Sequence, residues 1–338
     1  MTSKEIRNKV KVYAVADNKK AWIQLLNTVI PYIVILIIMG IGIYFKIPYI
    51  LILLLALAAG AFMVRSFILF HDCTHLSFFK TKRANHIMGH LLSIVAFTPY
   101  TVWQTEHNRH HGSVGNLDER GIGDVWTMTV EEYLASSKAK RFLYRLYRHP
   151  AFLFIVAPFF LFAVINRLPS KRSGESVKIK KMHYKSLFIT NSGIIFVAVI
   201  TELTIGIKYY LLIQIPVLFF ASIMGVWLFF VQHQFDEVYW ERHEEWDFVK
   251  AAIDGSSFYK LPIVLDWLSG HIGFHHIHHL NPKIPNYNLR ACYRAMNRFE
   301  GGKTIRLFES FKMGMLNLYD EKSRKLIKIR DLRKKAIY

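Results

Sequence analysis

Four long apolar segments dominate the pattern of hydrophobic and polar positions along this chain. They cover residues 28–45, 48–70, 187–207 and 209–231, and the one charge in the second of them is Arg65, near its end. Because a helix rises ~1.5 Å per residue, each segment is long enough to cross a hydrocarbon core of about 30 Å. We therefore predict four transmembrane helices arranged as two hairpins.

Two further apolar segments, at residues 91–103 and 151–165, are shorter. As helices they would reach roughly 20 Å, which is too short to span a bilayer comfortably. We expect them to form re-entrant or interfacial segments.

The charge of the chain is large for so apolar a composition. The 338 residues are 52% hydrophobic, yet 44 Lys and Arg against 24 Asp and Glu leave a net charge of +20. Six basic residues precede the first apolar segment, seventeen lie between the second and third, and eighteen follow the fourth, whereas the two short connections hold one each. Basic residues collect on the cytoplasmic side of membrane proteins. This distribution predicts cytoplasmic termini and argues against nucleic-acid binding as the reason for the charge.

Histidine is abundant and unevenly distributed. Most of the sixteen histidines fall into three clusters: HDCTH at 71–75, HNRHH at 107–111 and HHIHH at 275–279. The spacing i, i+3, i+4 places side chains on one face of a helix. Two or three imidazoles on one face are an arrangement that binds metal, whereas three clusters of solvated surface histidines would be unusual.

The number of histidines indicates two metal ions. Eight cluster residues exceed the ligands that one ion takes, and His233, at the end of the fourth apolar segment, could complete two sites of four or five nitrogens. If the helix continued from His71, His86 would lie ~22 Å further along it. We therefore assign His86 and His90 to the surface, leave out His276, and keep His271 as uncertain.

The predicted fold is an all-α integral membrane protein with a cytoplasmic helical cap that carries the histidine clusters. We divide the chain into a cytoplasmic segment at 1–27, a transmembrane hairpin at 28–70, a cytoplasmic region with two histidine clusters at 71–186, a second hairpin at 187–231, and a cytoplasmic region with the third cluster and a basic tail at 232–338. Within that tail, we expect residues 322–335 to form a basic helix or an extended tail.

Imidazole ligands suit iron, zinc and copper. A hydrolytic zinc site usually has three protein ligands and an open position. Two ions with about nine nitrogen ligands fit redox chemistry on O2 better. A site at the membrane surface points to a hydrocarbon substrate, and no acid or base side chain can remove hydrogen from an unactivated methylene, so a cofactor must do so.

The three clusters resemble the three histidine boxes of the membrane fatty acid desaturases. The similarity covers roughly residues 70–294, and the stretches EHNRHHGSVGNLDERGIGDVW and VQHQFDEVYWE look especially like the bacterial acyl-lipid branch, close to Δ12- and Δ5-type enzymes. The resemblance implies insertion of a cis double bond by a non-haem di-iron centre with O2 and two electrons. The positions that match the ligands of the family are His71, His75, His107, His110, His111, His233, His275, His278 and His279. It leaves open whether His271 binds metal directly or through water.

Several acidic residues flank these positions and could accept the second ring N–H of a ligand. For each residue taken singly we favour an ordinary cap or surface charge, but we expect at least two of the set to orient ligands. The candidates are Asp72, Glu106, Asp118, Asp124, Asp236 and Glu237.

The resemblance also implies the partners. The substrate would be an acyl chain of a membrane phospholipid. A fused haem domain would carry an HPGG motif, which this sequence lacks, so the electron donor would be a separate ferredoxin, flavodoxin or cytochrome b5-like protein. A di-iron hydroxylase or ketolase acting on a lipid, carotenoid or sterol remains an alternative. A metal transporter or sensor would place polar ligands inside the spans, where histidine is absent.

Overall fold

The computed structural model describes residues 3–121, 123–169, 175–296 and 302–332, and helices make up most of them. The helices in chain order are α1 Ser3–Lys11, α2 Asn18–Tyr44, α3 Tyr49–Thr74, α4 Lys82–Val95, α5 Tyr100–Ser113, α6 Val130–Ala135, α7 Lys138–Tyr147, α8 Ala157–Ala163, α9 Val177–Thr204, α10 Ile207–His233, α11 Phe248–Asp254, α12 Ile263–Leu268, α13 His275–Leu280, α14 Asn286–Ala295 and α15 Leu307–Met313. Short 3-10 turns lie at Ile165–Arg167, His243–Glu245 and Ile329–Asp331.

Four of these helices are long and apolar enough to cross a membrane, so the four predicted segments are candidate spans in the structure as well. They are α2, α3, α9 and α10, with 27, 26, 28 and 27 residues. Helix α3 packs along both α2 and α10. The connection between α9 and α10 turns at Gly206, whose φ of +94° favours glycine.

Each span continues as a helix beyond its apolar segment. Helix α2 begins ten residues before Thr28, where the Asp17 side chain accepts the backbone N–H of Lys19 at 2.8 Å and caps the helix. Helix α3 runs on to Thr74 and α10 to His233. These extensions carry His71 and His233 out of the apolar segments on rigid helix.

The two shorter apolar segments are not single elements. Residues 91–103 are divided between the end of α4 and the start of α5, with a turn at 96–99. Residues 151–165 form a π-helical turn, Phe152–Val156, followed by α8. Helix α7 and the stretch Phe152–Arg167 meet at an angle of 55°. Together they are long and apolar enough to be a broken span or a re-entrant loop.

Small β-sheets modify the all-α prediction. Strands β1 Met128–Thr129, β4 Leu318–Asp320 and β5 Lys325–Ile327 form a sheet in the order β1-β4-β5, and β2 Phe258–Lys260 pairs in parallel with β3 Thr304–Arg306. The prediction of a basic helix or tail at 322–335 is therefore wrong for the described residues up to 332. Leu326 is buried in β5, and its N–H donates to the Asp236 carbonyl, so the segment is held against the protein.

Side-chain hydrogen bonds to backbone join the helices that carry the histidines. Tyr100 at the start of α5 donates its hydroxyl to the Cys73 carbonyl at 2.8 Å, and Gln104 donates to the Thr74 carbonyl at 2.7 Å. Gln232 of α10 donates to the Ile272 carbonyl at 3.0 Å, just before α13. The first two bonds hold the end of α3 against the start of α5, and the third holds the end of α10 against the segment that leads into α13.

Candidate metal centre

Nine histidines from four helices meet in one buried cluster. Helix α3 and the residue that follows it contribute two, α5 three, α10 its last residue, and α13 three. They are the nine predicted by the resemblance: His71, His75, His107, His110, His111, His233, His275, His278 and His279. All are at most 6% exposed. The structure thus brings together residues that are up to 208 positions apart in the sequence.

The cluster consists of two groups. In the first, His71, His75, His107, His111 and His278 each offer a ring nitrogen, and these nitrogens lie within 4.8 Å of one another. The Nε2 atoms of His111 and His107 are 3.1 Å apart, and those of His278 and His111 are 3.0 Å apart.

The second group contains His110, His233 and His279, whose ring nitrogens also lie within 4.8 Å of one another. His275 joins them, because its Nε2 is 2.9 Å from that of His233 and 3.1 Å from that of His279. The Nε2 atoms of His110 and His233 are 3.2 Å apart. The division into five and four nitrogens is the one expected for two ions.

The electrostatics of the cluster favour a cation. Burial, with repulsion between neighbouring imidazoles, holds the pKa of six histidines outside the spans well below its ordinary value: His75, His107, His111, His275, His278 and His279. They are therefore neutral near pH 7, which is the form that binds metal. Several Nε2 atoms lie about 3 Å from two other Nε2 atoms. A single hydrogen between two nitrogens can satisfy only one such contact, so the remaining lone pairs face one another. A metal ion is an acceptor for all these lone pairs at once, so the donor set fits a metal centre.

Each group has one carboxylate against a ring Nδ1. Asp72 Oδ1 is 3.2 Å from His71 Nδ1, and its other oxygen accepts the backbone N–H of Asn286 at 2.6 Å. Asp124 Oδ1 is 2.7 Å from His110 Nδ1. A carboxylate in this position fixes the ring orientation and directs the Nε2 lone pair into the cluster.

The other acidic candidates have different surroundings. Asp118 accepts from Arg242 at 2.6 Å, Glu237 accepts from Lys303 at 2.8 Å, and Asp236 pairs with Lys303 at 3.6 Å. These three carboxylates thus pair with basic side chains rather than with a histidine of the two groups. Glu106 lines a cavity beside His107.

Several histidines lie outside both groups. His271 has its Nδ1 2.8 Å from Asp266 Oδ2, which also accepts from Arg290 at 2.6 Å. The pair His86 and His90 stands against the Tyr100 ring, with centroids 5.7 and 4.9 Å away. The helix does not run on from His71 to this pair, because α3 ends at Thr74 and α4 is a separate helix.

An apolar cavity of about 450 Å³ meets the cluster. His71, His107 and His275 line it near the cluster, and Met63, Leu218 and other span residues line it further into the spans. The sequence did not reveal this cavity, because its walls come from α3, α10 and the bent 152–167 segment. Nor did it reveal Asp266, which lies outside the three clusters.

Aromatic side chains cover the cluster where it meets the cavity. The Trp103 ring stacks on His107 with centroids 5.0 Å apart, and Phe229 lies 5.5 Å from His110 and 5.0 Å from His233. Both aromatic residues line the cavity. The cavity is therefore suited to a hydrocarbon chain and places it beside the histidines.

Comparison with known proteins agrees with this site. A sequence model of the fatty acid desaturase family matches residues 48–310. A Bacillus subtilis (strain 168) protein named fatty acid desaturase is 39% identical over 336 residues, covering 98% of this chain and 92% of its own. The sn-1 acyl-lipid omega-3 desaturase (ferredoxin) of Nostoc sp. (strain 36) is 29% identical, covering 72% of this chain and 67% of its own. The sn-1 oleoyl-lipid 12-desaturase of Picosynechococcus sp. is 26% identical, covering 74% and 70%.

Proposed function

Because this chain belongs to the fatty acid desaturase family, and is thus a membrane-bound oxidoreductase, we propose that it holds two iron ions between its nine histidines. With O2, two electrons and two protons, it would convert one CH2–CH2 unit of a lipid acyl chain into a cis double bond and release two waters. The observation that carries this proposal is the contact between two groups of buried histidines and an apolar cavity.

The chain's own residues would hold and orient the metals. Five histidines would form one site and four the other. Asp72 is placed to accept the Nδ1–H of His71, and Asp124 Oδ1 lies 2.7 Å from the Nδ1 of His110. When bound, the irons supply the O2-dependent removal of hydrogen from unactivated methylenes, which no side chain provides. His271 is not assigned as a ligand, because it is not among the described histidines whose ring nitrogens come together in the two groups.

The cavity would position the substrate. Its apolar lining would bind every methylene of an acyl chain equally well. The position of the acyl chain along the cavity would therefore depend on how deep its methyl end can enter. His71, His107 and His275 border the part of the cavity where the reacting carbons would lie, and Trp103 and Phe229 exclude water there.

We place both termini and the metal centre on the cytoplasmic side, because the basic residues fall on that side of every span. In this arrangement α2–α3 and α9–α10 are the two transmembrane hairpins. The regions 71–186 and 232–338 then form the cap that closes the metal centre.

We further propose that the electron donor is acidic and docks on a basic patch made by Lys19, Lys20, Lys80, Lys82 and Lys283. The segments 18–71, 73–105 and 267–299, which build this patch, contain no Asp or Glu, and Asp17, which caps α2, is the acidic residue beside Lys20 and Lys80. The Lys283 ammonium donates an N–H to the carbonyl of His75, so at this residue the patch adjoins the first histidine group. By contrast, residues 236–247, which follow His233, contain six acidic residues.

The patch is continuous across several elements. Lys20 donates to Asn288 at 3.2 Å, the N–H of Lys80 donates to Asn18 at 3.0 Å, and Tyr287 lies 5.8 Å from the Lys20 ammonium. A ferredoxin, flavodoxin or cytochrome b5-like protein would suit this charge. The names of the relatives from Nostoc and Synechocystis include ferredoxin.

The experiment that tests the function is expression in a host that makes only saturated lipids, with a co-expressed donor, followed by fatty-acid analysis and metal analysis. We expect one new cis double bond in acyl-lipid chains and about two irons per chain. Hydroxylated or keto products would contradict the desaturase proposal. One metal per chain, or zinc in iron-replete cells, would contradict the di-iron site.

A further inference from the structure

Three short helices outside the four spans carry large apolar side chains that the described protein leaves uncovered. Phe308 is 81% exposed and Ile263 78%. The helices are α7, α12 and α15, and their uncovered residues are Phe142, Leu143, Leu146, Ile263, Val264, Phe308 and Phe311. Exposed patches of this size on several elements mark an interaction surface.

The depth of α15 can be read from its contact with a span. Phe311 packs on Trp227 of α10, with ring centroids 5.4 Å apart. Trp227 lies six residues before His233, which is ~9 Å toward the membrane interior along the helix. The apolar segment of α10 continues to Val231. The exposed face of α15 is therefore beside a part of α10 that is still apolar.

Helix α12 lies at a similar depth on another span. The Trp267 ring packs on Phe62 of α3 at 6.0 Å and under the Arg65 guanidinium at 3.9 Å. Phe62 precedes His71 by nine residues, or ~13 Å along α3. Ile263 and Val264, on the first turn of the same helix, are thus exposed on the membrane side of the histidine cluster.

Helix α7 connects to a segment that lies at the same depth as α15 beside α10. It leads through the 55° bend into residues 152–167, where the Phe154 ring lies 4.7 Å from Trp227. Phe142, Leu143 and Leu146 form one stripe, and the exposed Lys138, Lys140 and Arg145 flank it. A helix with an apolar stripe and basic flanks is typical of the membrane interface.

We infer that α7, α12 and α15 lie in the plane of the bilayer interface, with their apolar faces inserted among the lipid chains on the side of the metal centre. The occupant of these faces is lipid, because α12 and α15 pack on apolar parts of neighbouring spans and α7 leads into the segment whose Phe154 packs on Trp227. Apolar faces of this kind insert about 5–10 Å beyond the headgroups. Parts of the regions 71–186 and 232–338 are thus membrane-embedded.

This arrangement bears on how substrate reaches the cavity, a consequence that rests on the proposed function. Leu161 and Ile165 line the cavity and have large exposed fractions, 37% and 58%, so the cavity is open beside them. Since this opening lies in the lipid, an acyl chain can enter sideways from the leaflet without crossing water. The substrate is then a chain of a bilayer lipid rather than a soluble thioester.

Spin labels test the depth of the three helices without reference to activity. The two native cysteines, Cys73 and Cys292, are buried, and burial raises the pKa of the Cys292 thiol to about 12, so an introduced surface cysteine reacts selectively. Leu143→Cys, Ile263→Cys and Phe308→Cys are labelled one at a time in the full chain in nanodiscs. Power saturation then measures the access of O2 and of a water-soluble nickel chelate.

We expect O2 access to exceed nickel access at all three positions, as at the control Phe196→Cys, which is exposed in the middle of α9. The water control is Glu244→Cys, which is exposed in the 236–247 segment. Nickel access equal to that at residue 244 would show that the faces lie in water. Low access to both reagents would show that protein, such as a second copy of the chain, covers them. Either result overturns the inference.

Discussion

Gly225 sets the space available in the lower half of the substrate cavity. It lines the cavity on α10, and a Cβ added there would meet no atom within 4 Å. Gly225 precedes His233 by eight residues, or ~12 Å, and Leu218, which lines the cavity deeper in α10, precedes His233 by fifteen residues, or ~22 Å. A leucine at 225 would therefore occupy the route to roughly the last 10 Å of the cavity.

The expected result of Gly225→Leu is a shift toward shorter acyl chains. An extended acyl chain with ~1.5 Å carbon–carbon bonds is a zigzag that advances ~1.3 Å per carbon, so 10 Å corresponds to about eight methylenes. Forcing a long chain past the new side chain costs about 1–3 kcal/mol, as overpacking does. Since ~1.4 kcal/mol is a factor of ten, kcat/KM for the longest accepted chain should fall roughly 5- to 150-fold. Folding should not suffer, because glycine inside a helix is less favourable than leucine by up to about 1 kcal/mol.

The assay supplies chains of defined length and compares the unsaturated fraction of each, with iron content as the check on the metal centre. Gly225→Ala should give a smaller shift in the same direction. Val199→Leu adds bulk to an exposed face of α9 and should change nothing. If Gly225→Leu retains iron and desaturates long and short chains in the original ratio, the cavity does not hold the substrate as described.

Three further predictions concern the metal centre and the donor. His233→Ala should lose product and lower iron content, because its Nε2 faces those of His110 and His275, whereas the exposed His86→Ala should retain both; equal behaviour would disprove the assignment. Lys82→Glu should raise the KM for an acidic donor in neutral-lipid nanodiscs, and added salt should abolish the difference, since the screening length is ~8–10 Å at ordinary salt. Lys322→Glu, also exposed but outside the patch, should not change that KM. The metal-free protein should lose stability as pH falls below about 6.5. Burial lowers the pKa of histidines such as His278 in the folded protein, so the unfolded chain takes up more protons. Thermal unfolding between pH 5 and 7 measures this slope, and an increase in stability toward pH 5 would contradict the prediction.

Much of this protein follows from local patterns that a single sequence contains. Apolar segments of bilayer length determine the four candidate spans. The hydrocarbon core offers no hydrogen-bond partners, and a helix pairs every backbone N–H and C=O within a single segment. The i, i+4 spacing of His71 and His75 determines that they share a face, whatever surrounds them. The family could likewise be identified from the three histidine clusters, and the matching family model confirms it.

Only the tertiary structure decides how the histidines are shared between two groups. His107 and His111 of α5 belong to one group, and His110, one residue from His111, belongs to the other. Likewise, His278 joins the first group while His279 joins the second. Helix periodicity places these residues near one another, but the partition depends on where α3, α10 and α13 cross α5, which long-range packing determines. The same holds for Asp124, which reaches His110 from a loop, and for α12 and α15, whose depth is fixed by contacts with distant spans.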